Sequence, residues 1–512
     1  MDMPPDMLLA EPPAAVAGTP RRKVWTLIVT CAAVALVMCM VTTVSTALPD
    51  LAASLKASQS QQTWIVDAYT VVLAALVLPA GALGDRYGRR GTLVGGLAVF
   101  ALGCALPLAT DSVSLMIVAR AVTGLGAAFI MPSTLSLVTE SYPAGGRGRA
   151  IGIWAATAGL GGLIGVVLTG LVLQHYSWHG VFVVPALVAL VLAAAGLGIP
   201  SSPEAAVRRL DGRGSVLSAL AVGVLIFGIL ESANDGWSSP LVIGALAAAV
   251  VLGAGFAWAE LRRAEPMLDV RLFRSPVLTL GTVSVTLQFT AAFGVMYAVT
   301  QYFQLVQGYS PLGSGIALWP VAVVMLPVAP FSARLAEKIG VRPVTFAGLL
   351  GVAAGTFLIG LLGPHSGYVP AGIAVGVLGG GIGLASPAGT SAIMDSVPAD
   401  SYGVGSALND VTRELGAALG IALAGSILSD GYTRQITAAA AHLPPSARSA
   451  VTSSVAAALP AAAKLGPQGK ALAASAKAAF CHGMWLSSLT LAILVAAGAV
   501  FILFLRPRAP RP

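Results

Sequence analysis

Apolar residues in this chain come in long unbroken runs, not in the alternating or one-faced patterns of soluble strands and helices. A helix needs about 20 such residues to cross a bilayer. Runs of that kind lie at 24–48, 62–83, 92–110, 114–137, 150–172 and 180–199. A polar stretch from Glu204 to Arg213 follows, then runs at 214–233 and 240–260. Beyond a basic loop at 261–275 come 277–303, 313–333, 343–362, 369–392, 403–429 and finally 482–505. The pattern predicts fourteen spanning helices. Several carry Gly and Pro, which membranes tolerate because neighbouring helices re-satisfy freed backbone groups. Residues 1–20 are Pro/Ala-rich and read as a disordered cytoplasmic tail, and 506–512 as a second one. The first run is too long for the apolar region of a signal peptide, so it reads as an uncleaved helix. The Ala-rich segment 430–480 is expected to form short amphipathic helices in a long outer loop.

Composition supports the membrane reading. Of 512 residues 56% are apolar and only 10% charged, too few charges to coat the surfaces of several soluble domains. A net charge of +8 would raise the question of nucleic acid in a soluble protein. Here the basic residues fall in twos to fours between apolar runs, so no nucleic-acid partner is expected. With both termini cytoplasmic, 21 of the 29 basic residues lie on the inner side, as the positive-inside rule requires. Six lie outside, five of them in the 430–480 loop, and Arg120 and Arg413 fall within spans. Four cysteines without a CxxC give no disulfide framework. The five histidines (His175, His179, His365, His442, His482) sit at loops or span ends, so no metal is expected. Gly466–Lys470 reads GPQGK, which lacks phosphate-loop spacing. The reading is therefore of a non-enzyme without cofactor.

One segment recurs. GALGDRYGRR (Gly81–Arg90) returns as ARLAEKIGVR (Ala333–Arg342), aligning Asp85 with Glu337, Arg86 with Lys338, Gly88 with Gly340 and Arg90 with Arg342. Each follows the second span of a six-span block. Two repeated halves around a mid-membrane site are the architecture of rocking transporters. The halves are 21–200 and 277–505, and 214–260 is an inserted hairpin.

With these motifs the sequence resembles the major facilitator superfamily, specifically its fourteen-span drug:proton antiporters of the quaternary-ammonium-compound exporter type. Gly81–Arg90 matches the family's cytoplasmic loop signature, and WIVDAY (Trp64–Tyr69) its second-span opening. ARAVTGLGAA (Ala119–Ala128) resembles the fourth-span motif, with Arg120 in the family's Arg position and Thr123 where Gln is usual. GLGGLIGVVLTG (Gly159–Gly170) resembles the fifth-span antiporter motif, with Val166 and Thr169 replacing its usual Pro and Gly. Gly405–Gly420 resembles the thirteenth-span signature around an Arg. Met40 departs, standing where the family usually carries an acid nine residues before Pro49. The resemblance implies an all-α major facilitator fold of two six-helix halves plus the hairpin.

Ionisable groups at membrane depth are costly, so each is a functional candidate. Asp67, one turn in from Trp64, reads as a proton-coupling or cation-recognising acid, the alternative being an interfacial acid hydrated from outside. Arg120 cannot release its proton. The resemblance gives it a proton-coupling role, and the alternative is a clamp between helices. Asp410, Arg413 and Glu414 share one span, with Asp410 spaced to pair Arg413. A structural lock and a proton relay stand level. Trp64 and Tyr69 are candidate pocket aromatics, since aromatic faces suit organic cations. Glu231 reads as an outer-surface residue. Gly81, Asp85, Arg86, Gly88, Arg89 and Arg90 form a conformational switch of cytoplasmic salt bridges. Gly159, Gly161, Gly162, Gly165 and Gly170 provide close helix packing.

The expected function is proton-coupled efflux of amphipathic, cationic or aromatic drugs from a bacterial cell, through a multi-pass monomer of the cytoplasmic membrane. The alternatives are a dedicated self-resistance exporter of one natural product and a non-transporting membrane sensor.

Overall fold

The computed structural model describes residues 19–505 apart from 110, 201–210, 442, 444, 465 and 466. The two expected tails, up to residue 18 and from 506, lie outside the described residues, as does most of the polar stretch from Glu204 to Arg213 with Arg208 and Arg209. Every described element is helical. The first six helices are α1 (Pro20–Leu55), α2 (Gln59–Tyr87), α3 (Arg89–Ala105), α4 (Val113–Ser141), α5 (Ala144–His175) and α6 (Gly180–Gly196). The hairpin is α7 (Gly212–Asp235) and α8 (Pro240–Leu261). Then come α9 (Pro276–Gln301), α10 (Pro311–Ala317), α11 (Pro320–Ile339), α12 (Val341–Gly360) and α13 (Tyr368–Asp395). The chain closes with α14 (Tyr402–Ala440), α15 (Pro445–Ser453), α16 (Val455–Ala463) and α17 (Pro467–Phe504).

Thirteen helices among the described residues are long and apolar enough to span a membrane, α10 and α11 together making one. The fourteenth expected span is α6, apolar but only 17 residues long. The tenth run breaks because Pro320 supplies no N–H to continue the helix from α10. Helix starts follow capping chemistry. Ser58 and Gln61 form a capping box at α2, and Ser112 and Asp211 accept backbone N–H groups at α4 and α7. The expected loop at 430–480 is mostly rod: α14 runs on to Ala440 and α17 begins at Pro467, with α15 and α16 bridging them. Ile436, Ala440, Leu472 and Ala476 are buried there, so apolar packing carries both helices past the expected span ends.

Two large apolar clusters form. One joins α1–α6 around Val34, Leu97, Phe100, Trp154 and Phe182. The other joins α9–α17 around Tyr302, Leu349, Leu378, Phe480 and Leu491. Helix α7 lies between α2 and α14, burying Ile226 and Ile229 against Ala74, Ala418 and Ala422. Outward faces remain apolar, as at Leu187 and Val191 of α6 and Val250 and Val251 of α8, which suits contact with lipid.

Glycines set how closely α1 and α5 approach. A Cβ at Gly161 would stand 2.5 Å from the Ala35 carbonyl oxygen, and one at Gly165 2.5 Å from that of Cys39. At Gly162 the nearest atom, Thr42 Cγ2, would be at an ordinary 3.6 Å. Gly165→Val is expected to destabilise the protein by about 1–3 kcal/mol through overpacking. Gly162→Ala should leave the melting temperature of the detergent-purified protein near wild type, and scanning both variants checks the contrast.

Candidate functional site: a latched seam and a charged centre

The basic residues of the repeat gather at one end of the bundle, here called the basic end. Asp85 lies on the last turn of α2. Its two oxygens accept the N–H groups of Gly403 (2.8 Å) and Val404 (3.0 Å), which are unpaired donors of the first turn of α14. A carboxylate there also faces the positive end of the helix dipole. Arg89 fixes that carboxylate through Nη2 at 2.8 Å and Nε at 3.0 Å. It also reaches Glu140 on α4 at 3.0 Å and the Ala399 carbonyl at 3.0 Å. Gly81 makes the approach possible, because any side chain there would strike the Gly403 carbonyl oxygen and Ala407. Gly88, at φ 95°, supplies the left-handed turn into α3. A second bridge joins Arg147 of α5 to Asp395 of α13 at 3.4 Å. The ring of Tyr402 sits 5.5 Å from both Arg89 and Arg147, a contact absent from the sequence reading. Arg86 lies 5.1 Å over the neighbouring Tyr87 ring.

The repeat is visible in three dimensions, with one break. Gly340, at φ 92°, turns α11 into α12 as Gly88 turns α2 into α3. Arg90 donates to the Ile199 carbonyl at 3.3 Å and Arg342 to that of Ile502 at 3.0 Å, each at the end of its own half's last helix. Glu337, the counterpart of Asp85, is exposed.

Deeper in, Arg120 is 1% exposed. Its Nε donates to the Ile65 carbonyl at 2.9 Å and its guanidinium lies 4.4 Å from the Tyr69 ring, while Nη1 has no partner. Tyr69 is itself 1% exposed, donates to the Val37 carbonyl at 3.4 Å and has Gly124 of α4 against its backbone. This corrects its assignment as a pocket aromatic: α4 and α1 cover it. Asp67 is half-buried, and the charges of Glu231 and Arg120 both act on it. No ion pair joins Asp67 to Arg120 among the described residues. Glu231 of α7 is half-buried and its charge reaches Asp67, so it is less open than the outer-surface reading expected. Trp64 is exposed and stacks on Phe227 of α7 at 6.1 Å.

On α14, Asp410 and Arg413 are 2% and 8% exposed, and Glu414 is half-buried. Asp410 and Arg413 approach to 3.6 Å. Arg413 also reaches across the seam. Its Nη2 lies 3.8 Å from Met38 Sδ of α1, and its guanidinium sits 5.4 Å from the Trp154 ring of α5 and 4.8 Å from the Phe289 ring of α9. Trp154 is held by donating its indole N–H to Thr134 Oγ1 at 3.1 Å. The sequence reading missed Trp154, Phe289 and Met38. The available signal was a tryptophan one turn into the fifth apolar run, ahead of the α5 glycines from Gly159 to Gly170. Those glycines divide in use: Gly161, Gly162 and Gly165 face α1, while Gly159 meets Met325 and Gly170 meets Leu312 of the other half.

The arrangement is that of a two-halved membrane transporter, with charges at the seam and a latch at one end. The chain belongs to the Major Facilitator Superfamily, whose family model matches residues 30–421. It is 35% identical over 470 residues to the multidrug efflux pump LfrA of Mycolicibacterium smegmatis, covering 90% of this chain and 92% of that one. It is 34% identical over 424 residues to the tetracenomycin C resistance and export protein of Streptomyces glaucescens, covering 81% and 79%. The crystal structure of the human organic anion transporter MFSD10 superposes with a TM-score of 0.62 at 14% identity, over 94% of this chain and 99% of that one, which speaks for the fold alone.

Asp85→Asn removes the charge from two hydrogen bonds and from the Arg89 pair. Hydrogen bonds to charged groups contribute about 1.5–3 kcal/mol each, so the open fraction at the basic end should rise roughly tenfold or more. Spin-label distances between the basic ends of α5 and α13 would record it.

Proposed function

We propose that the protein exports amphipathic, cationic or aromatic drugs or antibiotics across the cytoplasmic membrane in exchange for protons. The observation that carries this reading is the pair of acid–arginine groups at the seam, Asp67 with Arg120 and Asp410 with Arg413 and Glu414, lying above a closed latch. The positive-inside count supports a cytoplasmic basic end, with both termini on that side. The latch then closes the cytoplasmic side, and the halves rock about the seam to alternate access. Protonation of Asp67 accompanies release of substrate outside. Arg120 keeps its proton and acts by its charge, which reaches Asp67 while its Nε is held on the Ile65 carbonyl. Resistance and efflux among the relatives support a drug-like cargo. The protein acts without a cofactor, as a monomer, with the proton gradient as its energy source.

A second reading, export of one natural product, is favoured by the similarity to the tetracenomycin C exporter. A resistance panel separates the two, since broad protection supports multidrug export and protection against a single compound supports self-resistance. The primary test is purified protein in liposomes with only a pH gradient and a cationic dye. The wild type should drive dye against its gradient with counterflow of protons, and Asp67→Asn should lose most of that coupled flux. Full dye export and normal proton exchange by Asp67→Asn would remove the acid from the mechanism. A wild-type protein that moves nothing would leave the sensor alternative standing.

A further inference from the structure

Two arginine–aspartate pairs in this molecule can be compared directly. Arg89 holds Asp85 as a lock does, with Nη2 and Nε on one carboxylate oxygen at 2.8 and 3.0 Å and its other donors on Glu140 and Ala399. Arg413 does not hold Asp410 that way. Their closest atoms are 3.6 Å apart, and among the described residues neither Arg413 Nη1 nor either oxygen of Asp410 has a hydrogen-bond partner. Both residues are more than nine-tenths buried. A guanidinium carries five donors and a carboxylate about four acceptor sites, so leaving them this unsatisfied in the interior is costly. What Arg413 has instead is aromatic. It lies between Trp154 of one half and Phe289 of the other, at 5.4 and 4.8 Å, with the soft sulfur of Met38 at 3.8 Å. A flat delocalised cation between two ring faces beside an unsatisfied carboxylate is the arrangement that would receive an aromatic or quaternary cation.

We infer that Trp154, Phe289, Met38 and Asp410 form a binding site for lipophilic organic cations, and that Arg413 is its resident occupant, displaced when such a cation enters. This rests on the export reading for its cargo. The displaced guanidinium stays within the field of Glu414, the next residue on α14. The exchange keeps Asp410 neutralised whether or not cargo is bound, so the buried carboxylate is never left alone in low dielectric. Arg413 is then a competitor built into the chain, and its removal strengthens binding where removal of a lock would weaken it.

The test is the affinity of the purified full-length protein for tetraphenylphosphonium, measured by calorimetry. Arg413→Met should bind the cation roughly tenfold tighter or more, because a competitor worth a desolvated cation–π contact is gone. Phe289→Leu should bind it roughly tenfold weaker, and Trp154→Phe, which keeps a ring face, should stay within about threefold of wild type. Unchanged or weaker binding by an Arg413→Met protein that melts like wild type would overturn the proposal. Should that variant fail to fold, wild-type affinity in Phe289→Leu would overturn it independently. Liposome transport separates the two readings: this binding pattern without pH-driven flux would remove the exporter and keep the site, whereas flux with unaltered affinity in Arg413→Met would do the reverse.

Discussion

Charge in hydrocarbon is the constraint on which the rest depends. An ionised side chain at the centre of a spanning helix costs about 2.5–3.5 kcal/mol by insertion measurements. The interior charges Arg120, Asp410 and Arg413 therefore need compensation inside the protein. Arg120 obtains it from a carbonyl and the Tyr69 ring, and Arg413 from two rings and a nearby carboxylate. Asp67, half-buried, lies within the fields of Arg120 and Glu231. These arrangements draw on at least two helices each, and that of Arg413 on four. The glycines of α5 and α2 follow from the same need, since only close helices can bring such groups together.

Much of the fold was legible because it is one-dimensional. Length and hydropathy set the spans, and the basic residues sort to one end. The pairing of Arg90 with Arg342 in the repeat reappears as two matching hydrogen bonds. What failed to read was contact between distant segments. WIVDAY does not say that Tyr69 turns toward α1 and α4 while Trp64 turns toward the inserted hairpin. Trp154, Phe289 and Met38 come from three helices and meet only at Arg413, so no local pattern announces them. The segment 430–480 read as a loop because its composition is that of neither a span nor a strand. Small residues there pack α14 on α17 without the hydropathy of a membrane helix.

The inserted hairpin takes part in the site. Helix α7 carries Phe227 against Trp64, brings the charge of Glu231 to bear on Asp67 and, past its end, has Trp237 donating to Ser426 of α14 at 3.1 Å. It thus touches both halves. At its other end, Asp211 accepts the Gly214 N–H at 2.7 Å and pairs with Arg263, which fastens the hairpin's two strands of chain together. A helix tied in this way has to accommodate any relative motion of α2 and α14.

The repeat is mirrored in its turns and arginines but not in its acids: Asp85 caps α14, and Glu337 caps nothing across the other seam. There α5 and α11 meet through small residues instead, with the Gly148 and Gly152 positions against Ala333 and Ala329. The α2–α14 seam is thus fastened by Asp85 with Arg89, while the α5 seam keeps these small contacts and the single longer Arg147–Asp395 bridge. Two seams fastened so unequally do not ask the same of an opening movement. Under the rocking proposed above, exposing the basic end then meets its strongest resistance at one clasp, the carboxylate of Asp85 on two backbone amides.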